Sequence, residues 1–442
     1  MDFERLQKYG GDMEHLDASR FNFLAGKVGQ FMNGIKAGDR VLIAAHPDTD
    51  GLAAASLVKN FLERKFGNEA SPGGDGIKNG VKIDFTFYEL ADNRFFERAS
   101  GGYNHVISVD EWIDNEPERQ DGIRRLLADG VNILCMDHHD KDAKDISTDF
   151  YESDPKTYDP LIPETMSYTA EGRTAGNFVY VSPKRLGARK DSSAFTASMI
   201  AYRILSSLDE STKTNAQVVP LSIYGDIADR FWPELVIIMG GVSNQVMELA
   251  RNINLSESLK KPEIVIERLA RLQETDASYD TLKAAPEIKT LSALRDWTES
   301  RVRRILEKAD GTRGYIYYHV TQTDSENAKK SDGEDLRDHP VLYKGISDSM
   351  SRNLPPNKKA IVVVTQTIFR EGRPYAIKVD FKYDGEREID MRDYAAHFLG
   401  GGHIKASGAM VYITDMEDPE AEATTLHAIQ AKLAEIFQPV VS

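Results

Sequence analysis

Three candidate ligands fall on alternate positions in the stretch Val41 to Gly51, VLIAAHPDTDG: His46, Asp48 and Asp50. The run Val41 to Ala45 reads as a short buried strand of a parallel sheet. Side chains two apart on an extended chain point the same way, so this spacing aims one imidazole and two carboxylates at a single point, as a metal site requires. The carboxyl end of a strand is also where open α/β sheets place their ligands. A simpler reading fits the same residues: an Asp-rich turn in which Asp48 or Asp50 caps the helix running from Leu52 to Arg64.

Three further apolar runs end in the same residue types. VISV ends at Asp110, and ILCM ends at Asp137, His138 and His139. The segment Val218 to Ile227 carries Asp226 and Asp229. Ends of parallel strands share one sheet edge, so residues far apart in sequence meet there. One such turn would be an ordinary helix cap; four are not. Carboxylates with imidazoles and no thiolate suit Mn²⁺ or Mg²⁺, and less selectively Zn²⁺ or Co²⁺. The number of carboxylates predicts two ions, which about 3.5–4 Å apart clamp a phosphoryl group.

The elements that must position these residues follow from periodicity. Helical patterns cover the first 38 residues, the stretch from Glu116 to Asp129 and that from Ser192 to Leu208. Strands are expected at Val41 to Ala45, Val81 to Glu89, His105 to Val109, Val131 to Met136 and Asn177 to Val181. Strands alternating with helices indicate βαβ units and a parallel sheet. Helical patterns dominate residues 235–309. A second α/β unit then has strands at Gly314 to Val320, Lys359 to Thr367, Tyr375 to Phe381 and Ala409 to Ile413, with Thr321 to Arg337 as a polar insertion. The expected fold class is therefore α/β: an N-terminal parallel-sheet domain over 1–235, a helical connector over 236–311 and a smaller C-terminal α/β domain over 312–442.

A chain of 442 residues exceeds one hydrophobic core. No apolar run reaches the roughly eighteen residues of a membrane span, and the charged N-terminus lacks a signal-peptide core. The single cysteine, Cys135, excludes an internal disulfide or a thiolate zinc cluster and reads as a small core residue. A cytoplasmic setting is expected. With 70 acidic against 55 basic residues the net charge is −15. That disfavours broad adhesion to duplex nucleic acid and favours short anionic substrates.

These residues resemble the DHH phosphoesterase superfamily. Asp137-His138-His139 matches the motif that names it, and His46-Pro47-Asp48-Thr49-Asp50-Gly51 is similar to its HxDxDG motif. Asp110 in VISVDEW matches the second motif, and Gly225-Asp226-Ile227-Ala228-Asp229 the GxxAD motif. DSSAFTASMIAYRIL resembles the family's Ser- and Ala-rich helix, and GGGHIKASGA the signature of the DHH-associated domain. The resemblance covers roughly residues 38–235 and 312–415. It implies a two-metal centre: His46 and Asp48 on one ion, Asp50, His138 and Asp229 on the other, and Asp110 between them. Asp226 is the alternative to Asp229. Asp137 would orient the site, and His139 would sit beside the scissile phosphate. Gly401, Gly402 and His403, with Lys382 and Lys405, would bind the far end of the substrate, placing the active site in an interdomain cleft. Where many relatives carry Arg on the preceding strand, this chain has Lys382, which lacks the bidentate fork.

The compact first motif resembles the RecJ-like and nanoRNase-like branch. It implies a manganese-dependent exonuclease or oligonucleotide-degrading nuclease, using two Mn²⁺ ions with Mg²⁺ or Co²⁺ as alternatives. The expected partners are single-stranded or short nucleic acid, no membrane, and a second copy in a homodimer. A small-molecule phosphodiesterase or phosphatase, acting on cyclic dinucleotides or nucleoside 3′,5′-bisphosphate, is the alternative enzyme. A non-catalytic, replication-associated protein is the third reading, and no motif ligand is missing to favour it. Phe381, Tyr383 and the strand from Tyr315 to Tyr318 read either as base-stacking faces or as core.

Overall fold

The computed structural model describes residues 1–9, 15–66, 80–87, 99, 102–111, 117–139, 165–170, 173–189, 194–226, 228–272, 277–308, 315–332, 335–337, 340–354, 360–370, 372–383, 389–403, 406–416 and 418–437. Two compact units form. The first comprises 1–253 with 263–285, and the second 254–262 with 286–442.

The first unit is built on β1 (Arg40–Ala45), β2 (Lys82–Phe87), β3 (His105–Val109), β4 (Asn132–Met136), β5 (Thr165–Ala170) and β6 (Arg173–Val181). The strand order is β2-β1-β3-β4-β6-β5. The first five strands in that order are parallel, and β5 runs antiparallel on the edge of β6. Its helices are α1 (Phe3–Tyr9), α2 (Ala18–Gly34), α3 (Thr49–Phe66), α4 (Pro117–Ala128), α5 (Ala197–Leu208), α6 (Val218–Gly225), α7 (Glu234–Met239), α8 (Ser243–Ile253), α9 (Glu263–Ala270) and α10 (Ala277–Ala284).

Both faces of β1, β3 and β4 are buried, which is why these strands read as unbroken apolar runs. On one face Leu42, Val106, Ile133, Cys135 and Phe178 pack with Ile123, Leu126 and Leu127 of α4. On the other, Val41, Ile43, Ile107 and Leu134 are equally enclosed, and Phe31 of α2 meets the His105 ring edge-on at 5.6 Å.

Register decides where the site lies. Ala45, Val109, Met136 and Val181 form one row across β1, β3, β4 and β6. The residues that follow, His46, Asp110 and Asp137, therefore leave the sheet at one edge. The chain passes from β1 to β2 on one side and then to β3 on the other, so β1 and β3 flank the switch point where such sheets bind ligands.

The fourth apolar run differs from expectation. Val218–Gly225 is helix α6, not a strand. Its residues are apolar all round because it is enclosed by α3, α5 and α8. A fully buried short helix and a fully buried strand share the same unbroken pattern. The polar stretch after Val320 also folds, as a helix over Gln322–Asp332.

The second unit carries β7 (Tyr315–Val320), β8 (Ile361–Arg370), β9 (Arg373–Lys382), β10 (Gly401–His403) and β11 (Ala406–Tyr412) in the order β10-β11-β9-β8-β7. Only the β7–β8 pair is parallel. Ile377, Val379 and Phe381 face a core with Met391, Ala395, Ile429 and Leu433. Residues 236–311 are largely helical and divide between the units. α9 and α10 are tied into the first by Asn60 Nδ2 to the Ala270 carbonyl (2.7 Å) and Tyr279 Oη to the Gln217 carbonyl (2.8 Å). Residues 254–262 are tied into the second by Ser258 Oγ to the Val341 carbonyl (2.9 Å).

Gly51 shows how tightly α3 closes on the end of β1. A Cβ there would lie 2.2 Å from the His46 carbonyl oxygen, which is backbone and cannot swing away. Gly51→Ala is expected to destabilise the protein by about 1–3 kcal/mol, the usual cost of overpacking. Urea denaturation of the metal-free protein measures it, and a wild-type midpoint would rule out the close approach.

Candidate metal centre

The site assembles from four loops at the carboxyl edge of the first sheet. His46 and Asp48 follow β1. The His46 Nδ1 to Asp48 Oδ2 distance is 2.6 Å, while Asp48 Oδ1 accepts the Gly51 N–H at 3.2 Å. Asp48 thus caps α3 with one oxygen and meets the imidazole with the other, so the cap and ligand readings are compatible. Asp50, in the first turn of α3, is fully buried. Its carboxylate accepts the N–H groups of Ala197 (2.6 Å) and Ser198 (2.9 Å) at the N-terminus of α5.

Asp110 ends β3 with φ of 56°, in the left-handed region. Asp tolerates that region better than most residues, and the conformation turns the chain sharply out of the sheet. Its N–H donates to the Met136 carbonyl at 3.1 Å, tying the turn to β4. After β4, Asp137 is buried and lies 2.8 Å from His139 Nδ1. The buried His138 turns inward. Its Nε2 is 3.1 Å from Asp226 Oδ2, 3.2 Å from Asp110 Oδ1 and 3.7 Å from Asp50 Oδ2.

Asp226, a fourth-motif residue at the carboxyl end of α6, reaches the cluster. Its N–H closes the helix on the Ser222 carbonyl. Asp229 lies in the short 3-10 turn Ala228–Phe231, and burial, then the Asp229 charge, raises the nearby Tyr224 hydroxyl. The end of the helix places residue 226 opposite His138. The sequence alone does not show this because it depends on where α6 stops.

Three groups of donors converge, the atoms of each within 4.8 Å of one another: His46, Asp48 and Asp110; Asp50, Asp110, His138 and Asp226; and Asp110, His138 and His139. Asp110 belongs to all three. Asp50, Asp110 and His138 form a buried floor, while His46, Asp48 and His139 are half-buried at the rim.

Electrostatics reflect this crowding. Burial, then Asp226, pushes the Asp50 carboxyl up to about 7 against the opposing pull of His138. Burial, then Asp50 and Asp48, holds Asp110 well above the carboxylate range. Burial opposes charge on His138, but Asp110 and Asp226 outweigh it and raise the imidazole. Burial likewise disfavours charge on Asp137, yet the His139 and His138 imidazoles hold it low. Buried carboxylates packed against one another and an imidazole, all oxygen and nitrogen donors, fit a divalent cation.

The expected distal residues lie in the second unit. Gly401, Gly402 and His403 form β10, with Gly401 opposite Gly408 on β11. Lys405 is outside the described residues. Lys382 Nζ pairs with Asp348, and Asp348 and then Asp380 raise it despite burial. Phe381 and Tyr383 belong to the core, and Tyr315 stacks on Phe437 at 4.2 Å. Thr196 and Ser198, in the stretch likened to the family's Ser- and Ala-rich helix, and Ser222, which sequence reading passed over, are hydroxyls buried behind the centre. The one signal for Ser222 is its place within an otherwise apolar helical run.

No family model matches this sequence, and no curated protein sequence matches it. Solved structures do. RecJ from Thermus thermophilus in complex with Mn²⁺ is 17% identical, with a TM-score of 0.53 over 95% of this chain. The chain spans 55% of that protein's length. Exonuclease RecJ bound to manganese is 17% identical, with a TM-score of 0.50, covering 92% of this chain and 94% of that one. The DHH domain of a member of the s1p family of ribosomal proteins is 14% identical, with a TM-score of 0.57, covering 98% and 96%. The molecule is an α/β protein with an acidic and imidazole cluster at its sheet switch point. It shares its fold with these RecJ and DHH-domain structures. Among the described residues no helix is long and apolar enough to cross a membrane.

The raised Asp50 and Asp110 carboxyls and the raised His138 and His139 imidazoles predict an inverted pH dependence for the metal-free protein. Asp50 keeps in the folded state a proton that the unfolded chain releases from about pH 4 upward, until the pH passes about 7. The two imidazoles act in the same direction above about pH 6.5. Stability in a chelator is therefore expected to fall between about pH 5.5 and 7.5, by on the order of a few kcal/mol. Urea midpoints at the two pH values measure it; a rising midpoint contradicts the crowding.

Proposed function

We propose that this protein is a metal-dependent phosphoesterase that hydrolyses phosphodiester bonds in single-stranded nucleic acid or short oligonucleotides. The observation that carries the reading is the sharing of Asp110 by every convergent donor group, as a residue bridging two cations would be shared. His46, Asp48 and Asp110 would hold one cation. Asp50, His138 and Asp226 would hold the second, again with Asp110. Mn²⁺ is the first candidate, supported by the RecJ structures of like fold that carry it. Two such cations supply charge neutralisation at the phosphoryl group and an activated water at neutral pH.

The chain's own residues do the rest. Asp50, cradled by two N–H groups of α5, and Asp110, fixed by its left-handed turn, keep the carboxylates in place without rearrangement. Asp137 accepts from His139 Nδ1 and so orients that imidazole, leaving Nε2 for the scissile phosphate or the leaving oxygen. The buried floor keeps water to the rim.

A second reading, hydrolysis of a small nucleotide such as a cyclic dinucleotide or a nucleoside bisphosphate, is favoured by one observation. Lys382, offered for the far end of the substrate, is engaged by Asp348, and Phe381 and Tyr383, read as either stacking faces or core, belong to the core of the second unit. The net charge of −15 points the same way.

A manganese assay with single-stranded DNA, short RNA, cyclic dinucleotides and nucleoside bisphosphates separates the readings. Cleavage of the oligonucleotides is expected, and activity confined to bisphosphates would overturn the nuclease reading. Asp110→Asn keeps a side chain suited to the left-handed turn. It should leave a folded protein whose hydrolysis falls by more than the roughly 100-fold that loss of a ligand's supporting partner costs. Retained turnover would refute the bridging role.

A further inference from the structure

Behind the centre, three hydroxyls sit between the N-terminus of α5 and the body of α6. Thr196, Ser198 and Ser222 are all fully buried among apolar neighbours such as Met199, Val219 and Ile223. Thr196 Oγ1 lies 3.2 Å from Ser198 Oγ and 3.0 Å from Ser222 Oγ, and Ser198 Oγ bonds Ser222 Oγ directly. Their protons can be placed without conflict. Ser222 donates to the Val219 carbonyl at 2.8 Å, Ser198 donates to Ser222, and Thr196 donates into the pair while accepting the Met199 N–H at 3.2 Å. The hydroxyls thus add directional bonds to an otherwise apolar interface.

Both ends of this network reach a donor of the centre. The N–H groups of Ala197 and Ser198, beside Thr196, hold the Asp50 carboxylate. The Ser222 carbonyl accepts the Asp226 N–H at 2.9 Å. Asp50 and Asp226 then approach the same His138 Nε2, at 3.7 and 3.1 Å. Rotation or sliding of α6 against α5 would change the gap between the two carboxylates, and the hydroxyls lock that motion.

We infer that Thr196, Ser198 and Ser222 are positioning residues that set the spacing of Asp50 and Asp226 for the cation they share with His138. The inference rests on the two-cation reading above. Mn²⁺ titration of the full chain, followed by calorimetry and by the spin-coupled signal of paired Mn²⁺, tests it. The wild-type protein should bind two ions. Ser222→Ala, with its fold checked by circular dichroism, should lose at least about tenfold in affinity at one site, as outer partners of metal ligands do. At a Mn²⁺ concentration that just fills the wild-type protein, bound Mn²⁺ then falls clearly below two and the coupled signal weakens in proportion. Ser198→Ala should do the same, and carries the test if Ser222→Ala does not fold. Ser56→Ala is the matched control. It removes a buried hydroxyl that donates only within α3, to the Ala53 carbonyl, and should keep both ions. Two ions at wild-type affinity in the network variants, or equal losses in Ser56→Ala, would overturn the inference alone. A wild-type protein that binds no Mn²⁺ would overturn the two-cation reading and the inference with it.

Discussion

The site half of this molecule depends on one unfavourable arrangement: the Asp50, Asp110 and Asp226 carboxylates drawn around a single imidazole nitrogen of His138. Two of them are buried, and burying a carboxylate beside another is costly unless protons or cations offset the charge. The raised Asp50 and Asp110 carboxyls record that cost. A sheet with both faces packed and its edge residues held by backbone hydrogen bonds is rigid enough to enforce it. The arrangement is best understood as shaped for something positive that resides there.

Geometry reaches the cluster by three different means. Strand register delivers His46, Asp110 and Asp137 to one edge. Helix ends deliver Asp50 and Asp226, the first at the start of α3 and the second at the close of α6. Local backbone then refines the placement, through the left-handed Asp110 and the absent side chain at Gly51. His46 and His139 stay at the rim, each held by an aspartate two residues away.

Much of this was legible in the sequence, for identifiable reasons. Buried parallel strands announce themselves as apolar runs, and the residue after each run marks the sheet edge, so β1, β3 and β4 and their donors could be read directly. α6 could not, because complete burial erases the difference between helical and extended periodicity. That Asp226 sits beside His138 follows from that same helix and was equally hidden. β5 was missed because its sequence, TMSYTA, has no apolar run. Lys382 was legible as a charge but not as one neutralised by Asp348, a residue some thirty positions away on another element. The serine and threonine hydroxyls behind the centre are ordinary in composition, and only their three-dimensional meeting gives them a part.

The chain does not lay down its two units in turn. It leaves the first at Ile253, contributes residues 254–262 to the second, returns to the first for 263–285 and only then completes the second. No single cut can therefore separate two whole units: a break after Ile253 deprives the first of α9 and α10, and one after Ala285 deprives the second of 254–262. During synthesis, when chains fold from the N-terminus onward, the sheet and all its donors are complete well before the segments that close the first unit emerge. The donors of the cluster are thus all on hand before the first unit is complete.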